Sequence, residues 1–187
     1  MPMTNFLQDP WYLLICDFYG DQRSQRSGVL LINHIDEGLT ILEIIGATDN
    51  AKRAYCIHPM IQEDTALEEW FNGSDRMNNL YGLDHNVEVI TLAMEYRYIA
   101  NSCLSDRMIT DAKEIHLSPL AEVNDMLVAD KIQNRKDFEL YHKKSHLRQK
   151  ELDRYFKFWL ERLGISEEKY QEFAKMLQVR SGKPKCF

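Results

Sequence analysis

Three polar residues stand where an amphipathic reading expects apolar core or its margin: His34, His58 and Asp130. Two imidazoles and one carboxylate suit a divalent transition metal such as Mn, Fe, Co or Zn. The same residues have a second reading, in which the histidines are hydrogen-bonded core or capping groups and Asp130 pairs with Lys131, Arg135 or Lys136. Asp130 and Asn134 are one helical turn apart, so on a helix both face the same volume. His142 and His146 have the same spacing, with Lys143 and Lys144 between them. That pair either chelates a metal or belongs to a solvated basic junction. The aromatic set Tyr155, Phe156, Phe158 and Trp159 either stacks a base or packs its own helix onto its neighbours.

These residues belong to a chain of 187 residues, 44% hydrophobic and 28% charged, with eight Gly and five Pro. Such a composition excludes collagen, low-complexity disorder and a repeat-built fibre. Lys and Arg number 23 against 29 Asp and Glu, a net charge of −6. Stable nucleic-acid binding is therefore not expected, and a polyanionic ligand must be held by local basic groups. No apolar run approaches the roughly 20 residues of a membrane helix. Cys16, Cys56, Cys103 and Cys186 form no CxxC pair, so reduced thiols and a cytoplasmic location are expected.

The elements that must position the polar residues read as helices. Asp9-Pro10 is a capping carboxylate followed by proline at the first helical position, and Trp11, Leu14, Ile15 and Phe18 repeat at helical spacing as far as Gly20. Asn33 is the expected cap of a second helix, with Ile35, Leu39, Leu42 and Ile45 as its stripe and Gly46 as its stop. A third helix opens at Asp49 and should end or kink beside His58, because Pro59 has no N–H to give. Thr65 with Glu68 suggests a short helix ending at Asn72-Gly73, followed by a loop over 73–85. Further helices are expected over 86–104, from Ser118-Pro119 through Phe138, over 145–163 and over 166–179. The run Val29 to Ile32 is the one plausible strand. The chain thus reads as a single all-α domain over 1–179, a bundle of about seven or eight helices, with a loose tail over 180–187.

The order of three short motifs adds a resemblance. Asp21-Gln22-Arg23 through Ser27-Gly28 to Ile32-Asn33-His34 resembles the segment that opens the hydrolase domain of stringent-response alarmone, or (p)ppGpp, hydrolases, members of the HD superfamily of metal-dependent phosphohydrolases. Ala54-Tyr55-Cys56-Ile57-His58-Pro59-Met60-Ile61-Gln62-Glu63-Asp64-Thr65 is similar to their Ala-Leu-Leu-His-Asp-x-x-Glu-Asp-Thr, and the 24-residue separation of His34 from His58 is typical of them. Leu127-Val128-Ala129-Asp130-Lys131-Ile132-Gln133-Asn134-Arg135 resembles their Leu-Ala-Asp-Arg-Leu-His-Asn-x-Arg helix. The resemblance implies an HD-like fold that hydrolyses a phosphorylated nucleotide. His34, His58 and Asp130 would be metal ligands, with Mn or another transition metal as cofactor. Asn134 would position the nucleotide, and Arg26 holds the second of the family's two basic positions; Arg26, with Arg23 and Lys136, is a candidate phosphate contact, the alternative for the two arginines being loose surface side chains.

The chain departs from that pattern at two places. Pro59 stands where the family has a metal-binding Asp, and Gln62 replaces the first of two carboxylates. Glutamine cannot take a proton from water near neutral pH, so the catalytic role passes to Glu63, to Asp64 or to no residue. The three remaining ligands carry one negative charge in place of two. A catalytic metal can operate with three protein ligands, so the departures admit either a working enzyme or a degenerate HD domain that serves as a nucleotide-binding or protein-interaction module.

Overall fold

In the computed structural model, residues 6–25, 27–62, 64, 65, 68, 87–104, 109–144 and 146–180 are described, the last three by backbone alone. Much of the expected Thr65 helix, the loop over 73–85 and the tail beyond Arg180 lie outside them. Among the described residues the fold is all-α, with seven α-helices: α1 (Pro10–Tyr19), α2 (Ile32–Ile45), α3 (Asp49–Ile61), α4 (Val87–Ser102), α5 (Ala121–Asp137), α6 (Gln149–Arg162) and α7 (Glu167–Arg180). No helix among them is long and apolar enough to cross a membrane. Among the described residues, Cys16, Cys56 and Cys103 form no disulfide.

Helix α5 is the hub, packed against α2, α3, α4, α6 and α7. It buries polar as well as apolar positions, and each buried charge has a partner. Lys131 Nζ lies 2.9 Å from Asp130 Oδ2. The Lys136 ammonium sits between Glu37, at 2.7 Å, and Asp137, at 2.7 Å. Arg135 donates two bonds to Glu167, at 2.7 and 2.8 Å, which ties α5 to the first turn of α7. Gly38 of α2 sets the distance to α3: a Cβ there would stand 2.2 Å from the Tyr55 hydroxyl, so only glycine admits the tyrosine ring.

Local chemistry moves several expected boundaries. Helix α2 begins at Ile32 with no side-chain cap, so Asn33 is not its cap. The run Val29 to Ile32 forms no strand; an isolated bridge between Arg23 and Leu30 closes a turn, and the chain enters α2 directly. Helix α3 continues through Pro59 to Ile61. Proline removes a single intrahelical bond, the one its own N–H would have made to the Tyr55 carbonyl, and that carbonyl accepts from His58 Nδ1 at 2.6 Å. Helix α5 starts at Ala121, later than expected, because Ser118 and Asn124 exchange two hydrogen bonds, at 2.8 and 3.1 Å, and hold the entry non-helical. Beyond Asp137 the chain widens into one π-helical turn, Phe138–His142.

Candidate metal centre

His34 comes from the first turn of α2, His58 from the last turn of α3 and Asp130 from the middle of α5. One donor atom from each lies within 4.8 Å of the others. His34 Nε2 stands 3.3 Å from His58 Nε2 and 3.6 Å from Asp130 Oδ1. The site forms the base of a cavity of about 510 Å³, on whose walls lie Pro59, Gln62 and Asn134.

The hydrogen-bond partners decide what those nitrogens offer. The Gln133 amide nitrogen donates to the carboxylates of Glu37, at 3.1 Å, and Asp137, at 2.8 Å. A carboxylate only accepts, so the amide oxygen of Gln133 is the end that faces His34 Nδ1, at 2.7 Å. His34 therefore carries its proton on Nδ1 and presents a lone pair at Nε2. His58 does the same, because the Tyr55 carbonyl accepts from its Nδ1. Histidine metal ligands are held in this way, with the distal N–H bonded to a carbonyl or a polar side chain.

Burial, with the neighbouring His34, lowers the His58 pKa to about 3, so this imidazole is neutral near pH 7. A proton shared between the two rings is thus disfavoured. Burial alone would raise the Asp130 pKa, but Lys131 and the imidazoles outweigh it and lower the carboxyl to about 2. Two nitrogen lone pairs and a carboxylate consequently face one small volume. A cation relieves their mutual repulsion, and the donor set fits a divalent transition metal. The Tyr55 hydroxyl, 3.3 Å from His34 Nε2, can also donate to that nitrogen. The His58 ring is fixed between Tyr55 and Tyr96, with ring centroids at 4.7 and 4.8 Å.

Of the pairings expected for Asp130, the one with Lys131 forms: Oδ2 pairs with Lys131, while Oδ1 faces His34 and accepts from Asn134 Nδ2 at 2.8 Å. Asn134 thus joins the site. Three other residues stand apart from it. Lys136 is buried and its ammonium is committed to Glu37 and Asp137, which leaves none of it for a phosphate. Arg23 donates to the Gly28 carbonyl at 2.9 Å on an exposed turn. The exposed Asp64 carboxylate pairs with Arg97 of α4. Arg26 and Glu63 lie outside the described residues.

Sequence reasoning missed Glu37, Gln133, Asp137 and Tyr55, which hold the ligands in place. Gln133, one turn after Asp130, carried a usable signal: a polar residue on the buried side of a helix that also bears a ligand. Glu37 carried a comparable one, a carboxylate one turn after His34 on α2. His142 and His146 line the metal-site cavity, and so do Tyr155 and Phe156, whose rings also pack in the core. No protein-family model matches this chain, and no curated protein or solved structure matches it either.

Proposed function

We propose that this chain is a cytoplasmic, metal-dependent phosphohydrolase of the HD type that acts on a phosphorylated nucleotide, (p)ppGpp or a related compound. One observation carries the reading: His34 Nε2, His58 Nε2 and Asp130 Oδ1 converge as lone-pair donors at the base of a nucleotide-sized cavity. The three ordered motifs support the nucleotide as substrate class.

When bound, a divalent ion polarises a phosphoryl oxygen and makes water a competent nucleophile near neutral pH. His34, His58 and Asp130 would hold that ion, with Gln133 and the Tyr55 carbonyl orienting the two imidazoles. Asn134 positions the nucleotide beside Asp130, and Glu63 takes the proton from the attacking water. The new bond joins water oxygen to phosphorus, the bond to the leaving oxygen breaks, and that oxygen gains the proton. Asp64, paired with Arg97 away from the cavity, is the weaker choice of base.

A second reading, a degenerate HD domain that binds a nucleotide without cleaving it, is favoured by one observation. Among the described residues, the only carboxylates lining the cavity are Asp130 and Asp137, and both are already paired. Metal analysis of protein purified without a histidine tag, followed by a turnover screen over a nucleotide panel, separates the two. Retained metal with turnover is the expected result. Binding without metal or turnover establishes the second reading. Pro59→Asp with Gln62→Glu then restores the resembled carboxylates, and a gain of alarmone hydrolysis would mark an intact but disarmed pocket.

A further inference from the structure

His142 and His146 line the same cavity as His34 and His58, yet the surroundings of His146 prepare it for the opposite partner. The Arg148 backbone N–H donates to His146 Nδ1 at 3.1 Å. A backbone N–H can only donate, so Nδ1 is the unprotonated nitrogen and the neutral ring carries its hydrogen on Nε2. The metal-site histidines show the reverse, with both Nε2 atoms as acceptors. One wall of the cavity therefore offers lone pairs to a cation, and another offers an N–H to an acceptor. The same tautomer makes His146 a poor member of a second metal site, because Nδ1 is occupied and Nε2 is protonated.

The backbone brings His142 to this wall by a specific device. On an unbroken α-helix the face that bears Asp130, Asn134 and Asp137 would return at position 141. The π-turn Phe138–His142, closed by a bond from the Lys143 N–H to the Phe138 carbonyl at 2.7 Å, inserts one residue. That place passes to His142, and Tyr141 is left 41% exposed. Single π-turns of this kind recur at functional sites. His146 follows one turn later, its N–H bonded to the His142 carbonyl at 2.9 Å. Charge leaves this wall a distinct task. Among the described residues lining the cavity, Lys131 is the only lysine or arginine, and it is paired with Asp130.

We propose that this wall is an anion-recognising subsite, in which His146, with His142 beside it, donates hydrogen bonds to a second anionic group of the ligand, remote from the phosphate at the metal centre. The ligand class is then a nucleotide or other phosphoester with two separated anionic groups, its apolar portion covered by Phe138, Tyr155 and Phe156. The assignment of the first phosphate rests on the proposed metal centre; the subsite itself does not.

The test uses inorganic phosphate with EDTA-treated full-length protein, so that no metal holds the anion. Nitrogen-15 histidine spectra are expected to show His146 in its Nε2–H form and to shift at His146 and His142 as phosphate is added, with His58 unmoved. His146→Ala should weaken phosphate binding at least about tenfold, the loss expected for one hydrogen bond to a charged group. His146→Gln, whose amide N–H replaces the Nε2–H, should stay close to wild type. Both variants should retain metal as the wild type does. An Nδ1–H tautomer at His146, unchanged phosphate affinity in His146→Ala, or shifts confined to His34 and His58 would overturn the subsite and leave the metal centre standing. A wild type that takes up no metal but shows the His146 effects would do the opposite. Should His146→Ala fail to fold, the spectra and His146→Gln still decide the matter.

Discussion

Asp130→Asn tests whether the ion pair that stabilises α5 is separable from the proposed metal centre. Asp130 and Lys131 are 4% and 6% exposed, and their charges meet at 2.9 Å. Lowering the Asp130 pKa from 3.8 to about 2 corresponds to about 2–3 kcal/mol of stabilisation of the charged form. Breaking a buried pair by removing one partner typically costs about 3–5 kcal/mol, because the other charge stays buried. Asparagine retains a carbonyl for Lys131, and the ammonium also lies 4.9 Å from the Trp159 ring, so the lower end applies. The expected loss is about 2–3 kcal/mol in urea unfolding at pH 7. Adding Lys131→Met removes the stranded charge and should recover most of that loss. Metal binding, measured by calorimetric titration, should be absent from both variants. A single variant within about 1 kcal/mol of wild type, or a double variant that regains metal, would refute the reasoning.

Gln133→Leu removes the acceptor for the His34 Nδ1 hydrogen and should weaken metal binding by about 10–100-fold with the fold intact, read by metal titration beside a thermal melt. Pro59→Ala returns an N–H that competes with His58 for the Tyr55 carbonyl; it should leave the helix no less stable and lower metal affinity by about tenfold. Gly38→Ala drives a methyl into the Tyr55 ring and should cost at least about 1–3 kcal/mol in chemical denaturation, a loss that Tyr55→Phe alone should not reproduce in full. The folded pKa of His58 lies below its unfolded value, so between about pH 6.5 and 3 the unfolded chain binds the extra proton and stability falls as pH falls. Asp130 adds a further loss between 3.8 and about 2, again because its folded pKa is the lower one. Denaturation midpoints measured from pH 7 down to 4 should therefore decline, and a flat profile would contradict the buried neutral imidazole.

The helices were legible in the sequence because their signals are local. Asp9-Pro10 caps α1 as expected, with the Asp9 carboxylate accepting from the Trp11 N–H at 3.0 Å, and Gly46 ends α2 in the left-handed conformation at φ 75°. His34, His58 and Asp130 were legible as polar residues in apolar stripes, and their types named the chemistry. Their convergence was legible only through the resemblance, which makes all three ligands of one metal; in the molecule it depends on how α2, α3 and α5 cross. Long-range pairing set the fate of the expected nucleotide contacts as well. Lys136 and Asn134 both follow Asp130 closely on α5, yet Glu37 of α2 captures Lys136 while Asn134 remains at the cavity. Pro59 read locally as an end or a kink; the carbonyl it strands is satisfied by the neighbouring His58 side chain, so the helix goes on to Ile61 and His58 acquires its tautomer. The π-turn that turns His142 toward the cavity leaves no mark in periodicity, because one inserted residue is visible only against a face fixed by packing. Sequence alone therefore determined which groups were available and which segments carried them. Only the tertiary structure decided which of those groups meet, because desolvation and pairing across helices act between residues that are distant along the chain.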